Sequence, residues 1–318
     1  MADERRIASS LTSTRDDMHL MDRLDGATAF DGYADRVHPS REPTLPELPE
    51  VEAWRQQLDP LVERSPVERA GPAHIATLKT FDPPLRELEG TTLRVERRAK
   101  RFLLPTGDGG LVLMVHLMSA GRLKYVASGA KAAKTPMFRL QFEDGGVLQL
   151  TEAGSKKRAG VWLLRSDAVA DELAHLGPEA DQLSTDDVAR ILVGDSRRLH
   201  SLLRDQRLIA GIGRAWANEI LWAAKLSPYA LSTQVDEEET VRLADAIHSE
   251  LARGLELRLA GAKDADVYRI HNALGKPCPR CGTPLARVDF EEHTIFYCPA
   301  CQTGGRTLKD RRLSRLLR

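Results

Sequence analysis

A chain of 318 residues with 42% hydrophobic content is long enough for two or three domains with cores of their own, and with no run approaching eighteen apolar residues it excludes a membrane-spanning helix. The first twenty residues hold no apolar signal core and carry Asp3, Glu4, Asp16 and Asp17; acids are unusual in a transit peptide, so a cytoplasmic protein is expected. Formal net charge is zero, but residues 1–44 hold nine acids against six bases, leaving +3 on residues 45–318, and local basic patches bind phosphates whatever the total.

Residues 1–44 mix Asp, Arg, Ser and Thr with few large apolar residues and no sustained period, the pattern of a disordered extension. Next comes Leu45-Pro46-Glu47-Leu48-Pro49-Glu50-Val51-Glu52, with two prolines and three carboxylates in eight residues. Pro49 suits the first helical position, where its missing amide hydrogen would have no intrahelical partner. Glu50 and Glu52 then fall in the first turn, which the helix dipole favours by roughly 0.3–1 kcal/mol. A helix start explains those two acids but not Pro46 and Glu47, which precede it. The helix is expected from about Pro49 to Leu58, burying Val51, Trp54 and Leu58, with Pro60 marking its end.

From about Thr91 to Ser166 the period is two. Leu93–Glu96, Phe102–Leu104, Leu111–Val115, Phe138–Phe142, Val147–Leu150 and Val161–Leu164 are separated by turns such as Gly107-Asp108-Gly109-Gly110 and Glu143-Asp144-Gly145-Gly146. Short strands at this spacing argue an antiparallel sandwich or barrel. Beyond Gly177-Pro178 the pattern is helical. Thr185 is positioned to cap a helix through Val188, Ile191 and Leu192; another stretch runs from about Arg197 to Arg204; a third starts near Gly213 and buries Trp216, Ile220 and Leu221. A longer helix follows with Val241, Ala244, Ile247 and Leu251 on one face.

Cys278-Pro279-Arg280-Cys281 and Cys298-Pro299-Ala300-Cys301 stand sixteen residues apart. Without a secretory signal, this spacing reads as a four-cysteine zinc site and not as a disulfide framework. Four thiolates leave no open coordination position, so one structural Zn2+ is expected. From residue 306 on, Arg306, Lys309, Arg311, Arg312, Arg315 and Arg318 face only Asp310.

In this order, Pro46-Glu47-Leu48-Pro49-Glu50, Arg97-Arg98-Ala99-Lys100, His116-Leu117, His175-Leu176-Gly177-Pro178-Glu179, Asp205–Gly213 and the cysteine pairs resemble the formamidopyrimidine-DNA glycosylase and endonuclease VIII family over about residues 45–305. The resemblance implies a base-excision repair enzyme that binds damaged DNA. In that family the N-terminal proline is a secondary amine that attacks the sugar carbon bearing a damaged base, forming an iminium and then eliminating the strand phosphates. Carried over, Pro46 is the nucleophile, Glu47 the acid that opens the sugar or shuttles its proton, Glu50 a supporting carboxylate and Lys100 the holder of a phosphate beside the lesion. Asp205 to Arg214 resembles the turn of a helix-two-turn-helix element. There Gly211 and Gly213 permit close backbone approach, and the following helix offers its amides to a phosphate.

The departures bear on DNA contacts and substrate. Arg214 replaces the usual Asn, and His293 stands where the zinc hairpin's DNA-gripping arginine is expected. The methionine that helps fill the gap left by a flipped base is shifted by one position to Met118. Ala159 takes the usual Phe position, so the wedge is expected around Met118 or Arg158. Gly261 to Tyr268 is too short for the loop that closes over 8-oxoguanine, which leans the substrate toward oxidised pyrimidines, abasic sites or ring-opened purines.

The expected fold is α+β and multidomain. An extension over 1–44 precedes an N-terminal antiparallel β-sandwich with flanking helices, the catalytic domain, over 45–178. A helix-two-turn-helix bundle over 179–265, a four-cysteine zinc-finger hairpin over 266–305 and a basic tail over 306–318 follow. No feature points to an oligomer, so a monomer is expected, nucleoid-associated when bound to DNA. One condition attaches. Pro46 follows Leu45, which makes its nitrogen a tertiary amide without a nucleophilic lone pair. Translation starting at Leu45 with removal of the initiator, or processing of a longer precursor, would free it; otherwise the chain reads as a DNA-damage-binding protein.

Overall fold

The computed structural model describes residues 45–153, 157–289 and 294–309; the expected disordered extension, the end of the basic tail and His293 lie outside the described residues. Helix α1 (Leu48–Val62) comes first, then strand β1 (Val67–Ala73). Helix α1 runs past Pro60, against expectation. Proline so near the end forfeits one rung only, and the Glu63 N–H to Asp59 O bond of 3.0 Å closes the final turn.

Seven further strands complete two antiparallel sheets: β2 (Glu96–Arg98), β3 (Arg101–Pro105), β4 (Leu111–His116), β5 (Gly121–Val126), β6 (Phe138–Phe142), β7 (Val147–Glu152) and β8 (Gly160–Arg165). The orders are β1-β6-β7-β5 and β2-β3-β4-β8, which decides for a sandwich over a barrel. Phe102, Leu104, Leu113 and Val115 of one sheet meet Phe138, Leu140, Leu148 and Leu150 of the other, and α1 adds Val51, Leu58 and Val62. The alternating apolar positions of each strand make this layer. Trp54 packs at its margin, half-buried.

Short helix α2 (Val169–Leu173) leads to the helical part: α3 (Thr185–Gly194), α4 (Leu199–Arg204), α5 (Arg214–Ala223), α6 (Glu237–Leu259) and the single turn α7 (Asp264–Val267). The cap of α3 is Ser184 and not Thr185, its hydroxyl accepting from Asp187 N–H at 3.1 Å. On α6 the buried stripe includes Thr240, Leu243, Ala244, Ile247 and Leu251, while Val241, turned off the stripe, is exposed. These helices share a core with Leu199, Leu202, Ile212, Trp216, Ile220 and Leu221, and Leu48 from α1 belongs to it. The chain entering α1 is thereby tied to the helical part as well as to the sandwich. Strands β9 (Ala286–Asp289) and β10 (Thr294–Tyr297) form a hairpin, and α8 (Pro299–Thr303) follows. No described helix is long and apolar enough to cross a membrane.

Candidate active site

Pro46 is buried and leads straight into Glu47, the N-cap residue of α1. Leu48 N–H donates to Gly211 O at 3.0 Å, which stitches this segment to the turn before α5. The approach is too close for side chains: a Cβ on Gly211 would stand 2.5 Å from Leu48 Cδ1, and one on Gly213 would stand 2.3 Å from Glu47 Cδ. Gly211 also has φ +108, a region that other residues rarely adopt.

That closeness lets the buried Glu47 carboxylate cap α5, whose own N-cap, Gly213, has no side chain to offer. Glu47 accepts from the N–H groups of Gly213 at 2.5 Å, Ala215 at 2.9 Å and Trp216 at 3.2 Å. Three of the four free amides of a helix start are thereby satisfied by an acid from elsewhere in the chain. Burial raises the pKa of Glu47, opposed by the Lys100 ammonium and by the amides of Gly213 and Ala215.

Lys100 comes from the two-residue turn between β2 and β3, where Arg98 pairs with Arg101 and Ala99 sits at φ 54. Its Nζ donates to Ile212 O at 2.8 Å, on the same turn that holds Glu47. Burial lowers its pKa, opposed by Glu47. Burial thus raises the acid and lowers the amine, each opposed by the charge of the other.

The unfavourable backbone at Ala99 is held by its neighbours. Ala99 N–H donates to Glu179 Oε1 at 2.7 Å, and the same carboxylate pairs with both Arg97 and Arg98. Arg97 also reaches Glu52 at 3.1 Å and Asp181 at 2.7 Å. Two motifs eighty residues apart in sequence, Arg97–Lys100 and His175–Glu179, therefore form one clamp that aims Lys100 at residue 212. Behind Lys100, Arg101 lies directly across from His116 and 3.2 Å from His175 Nε2. Burial, with Arg101 and Lys100 adding, pushes His116 down to about 3.

Glu50 is buried beneath this site and fully engaged. It accepts from Glu47 N–H at 3.1 Å, Trp216 Nε1 at 3.2 Å, Arg258 Nε at 3.0 Å and Tyr268 OH at 3.0 Å. Burial lowers the Arg258 pKa, but Glu50, Tyr268 and Asp264 more than offset it and hold it above the ordinary value. Arg258 and Tyr268 escaped the sequence reading because no local spacing links them to Glu50. Glu219 escaped it too: wholly buried, it accepts from the N–H groups of Arg269, Ile270 and His271 at 3.0, 3.0 and 2.9 Å, fixing the path into the cysteine module.

The structure therefore brings Pro46, Glu47, Glu50, Lys100, Gly211 and Gly213 together, with Arg214 opening α5 beside them. Met118 and Arg158 fall at one corner of the sandwich, each two residues beyond the paired His116 and Gly160. Met118 is 40% exposed with φ 52. Arg158 is exposed, its backbone fixed by an N–H bond of 2.8 Å to Glu152, while Ala159 is buried.

The four cysteine sulfurs lie within 4.8 Å of one another, the one such metal-competent cluster among the described residues. A tetrahedral ion with Zn–S bonds of about 2.3 Å needs sulfurs about 3.8 Å apart. The separations are 4.0 Å for Cys278–Cys301, 3.5 Å for Cys281–Cys298 and 3.4 Å for Cys281–Cys301. Donor set and spacing fit one structural Zn2+, with all four positions filled by protein.

Three family models match successive parts of the chain. The formamidopyrimidine-DNA glycosylase N-terminal domain matches residues 45–158, the formamidopyrimidine-DNA glycosylase H2TH domain residues 176–266, and the zinc finger found in FPG and IleRS residues 275–304. An uncharacterized formamidopyrimidine-DNA glycosylase-like protein of Mycobacterium tuberculosis is 42% identical over 151 residues, covering 45% of this chain and 94% of that one. The formamidopyrimidine-DNA glycosylase of Salmonella paratyphi B is 30% identical over 276 residues, covering 81% of this chain and 100% of that one. Among solved structures, Lactococcus lactis formamidopyrimidine-DNA glycosylase, bound non-covalently to DNA containing an AP site, matches with 25% identity and a TM-score of 0.72 over 81% of this chain and 99% of that one. With a relative 30% identical matched along its whole length, and with its glycine turn, hairpin lysine and cysteine cluster in one fold, the chain belongs to the formamidopyrimidine-DNA glycosylase family.

Proposed function

We propose that the protein is a base-excision DNA glycosylase and abasic-site lyase whose nucleophile is the free amine of Pro46. The observation that carries this reading is the anchoring of Glu47, adjacent to Pro46, on the first amides of α5 with Lys100 beside it. In this scheme Pro46 N forms a bond to the sugar carbon while the bond to the damaged base breaks. Glu47 delivers the proton that opens the sugar, giving an iminium that eliminates the strand phosphates in β and then δ steps. Lys100 holds a phosphate beside the lesion, Glu50 keeps Glu47 in place, and Gly211, Gly213 and Arg214 bring the start of α5 to the strand. Met118 and Arg158 fill the gap left by the flipped base.

Oxidised pyrimidines, abasic sites and ring-opened purines are the proposed substrates. Support comes from the segment between α6 and Tyr268. It holds only the single turn α7, and Tyr268 is committed to Glu50, which leaves no length for a loop over 8-oxoguanine. The domain limits proposed are 45–178, 179–265 and 266–305.

The reading requires that Pro46 begin the chain, because an amide nitrogen is not a nucleophile. We assign the native start to Pro46, through initiation at Leu45 or through processing. The family match itself begins at residue 45. Borohydride trapping on abasic DNA tests the proposal: protein starting at Pro46 gives a covalent adduct and the 318-residue chain gives none. Absence of adduct from the shorter protein, with binding retained, moves the assignment to the second reading, a damage-binding protein. Intact mass of the native protein tests the start, and residues 1–44 attached in most molecules would sink it.

A further inference from the structure

The cysteine module meets α5 at several points, and at the end opposite Glu47 one side chain of the helix reaches a cysteine sulfur. Trp222, buried on the last turn of α5, donates its indole N–H to Cys278 Sγ at 3.3 Å. Arg280, between Cys278 and Cys281, lays its guanidinium 4.2 Å from the centre of the same ring and donates to Ala223 O at 3.3 Å. Arg269 approaches the ring at 5.3 Å and pairs with Glu250 at 2.6 Å. The indole is thus held by two cations while its one polar atom points at a metal ligand.

We propose that Trp222 is a positioning residue for the zinc ion: its N–H takes up part of the charge on the Cys278 thiolate and so sets the affinity of the site for its metal. Four thiolates carry more negative charge than the ion neutralises, and N–H donors to sulfur offset the excess. Cys298 receives such a donor from the backbone, the N–H of Cys301 at 3.5 Å, which no substitution removes. Cys278 receives the backbone N–H groups of Arg280 and Cys281 and, in addition, a donor from a side chain, so part of its charge balance depends on what stands at position 222. A single helix of ten residues then carries the Glu47 carboxylate at its start and a metal-tuning donor at its end.

The test uses the full chain with Trp222→Phe, which keeps a ring for the two arginines and removes only the donor. Zinc affinity, measured by competition with a chelator, should fall about tenfold. In the cobalt(II)-substituted protein, the sulfur-to-cobalt charge-transfer band should move to lower energy, because Cys278 becomes a stronger electron donor. Arg280→Gln, which disturbs the stack and leaves the N–H in place, should leave that band where it is. Zinc affinity within twofold of the parent, a weakened site with an unmoved cobalt band in Trp222→Phe, or a band that moves equally in Arg280→Gln would each overturn the proposal.

Discussion

Replacing Gly213 with Ala sets two effects of opposite sign against each other. The backbone at Gly213 has φ −124 and ψ −153, an extended conformation open to any residue. On entropy alone, alanine would therefore stabilise the protein by about 0.4–1 kcal/mol. The added Cβ, however, would stand 2.3 Å from Glu47 Cδ and 2.4 Å from Oε1, where ordinary contact begins at 3.4 Å. The carboxyl must retreat by about 1 Å, and it is pinned by three amides. Hydrogen bonds to a charged group contribute about 1.5–3 kcal/mol each. Losing one or two of them outweighs the entropy gain and leaves a net loss of about 2–4 kcal/mol. At roughly 2–4 °C per kcal/mol for a protein of this size, the melting temperature should fall by roughly 5–12 °C. A displacement of about 1 Å at the acid should slow adduct formation on abasic DNA about 100-fold. Calorimetry and borohydride trapping on protein starting at Pro46 read the two effects separately. A variant that melts at or above the parent temperature, or traps within threefold of its rate, refutes the placement of Glu47.

Three further outcomes follow from the same geometry. Burial lowers the pKa of Lys100, so its charge is lost at a lower pH than that of an exposed lysine. Raising the pH from neutral toward about 10 should remove close to one unit from the salt slope of DNA binding; Lys100→Arg should abolish that pH dependence, and a slope that stays constant in the parent rejects the contact. Glu179→Gln uncouples a carboxylate from Arg97 and Arg98 where the Arg97 and Glu179 side chains are only 8% and 10% exposed. Urea unfolding should show a loss of about 3 kcal/mol, and a loss below about 1 kcal/mol would mean that the clamp contributes little. Metal analysis should find one zinc per chain. Chelation should remove about 10 kcal/mol of support from the cysteine module, collapsing its near-ultraviolet signal, whereas an unchanged signal after zinc release would show that the module folds without metal.

What was legible in the sequence was what repeats locally. Alternation located β3, β4, β6, β7 and β8 but not β5, and helical spacing located α5 through Trp216, Ile220 and Leu221. Cysteine spacing located the metal site because both ligand pairs are local. Strand β1 was missed because Gly71 and Pro72 interrupt its apolar pattern and its register shifts against β6. Ends shifted where a neighbouring residue did the same work better, as Ser184 does for α3. The partners of the site acids were invisible for another reason. Glu50 meets Arg258 and Tyr268 more than two hundred residues away, and Glu47 caps a helix 166 residues on. Such pairings leave no periodic trace, since they are set by how the helical part folds back on α1.

The nucleophile and the machinery around it are separable in this chain. The Glu47 carboxylate is held by residues 213–216 with Lys100 beside it, its N–H by Glu50, and Lys100 is placed by the β2–β3 turn and residue 212. Among the described residues, none of these contacts involves Leu45. Removing the peptide bond between Leu45 and Pro46 therefore changes one atom's chemistry, from an amide nitrogen to a secondary amine, and leaves the acid, the lysine and the glycine turn where they are. Two proteins identical from Pro46 onward, one with Leu45 attached, should bind abasic DNA alike and differ in whether they trap it. Loss of binding along with trapping would mean that the bond to Leu45 disturbs the scaffold itself, and the separation argued here would fail.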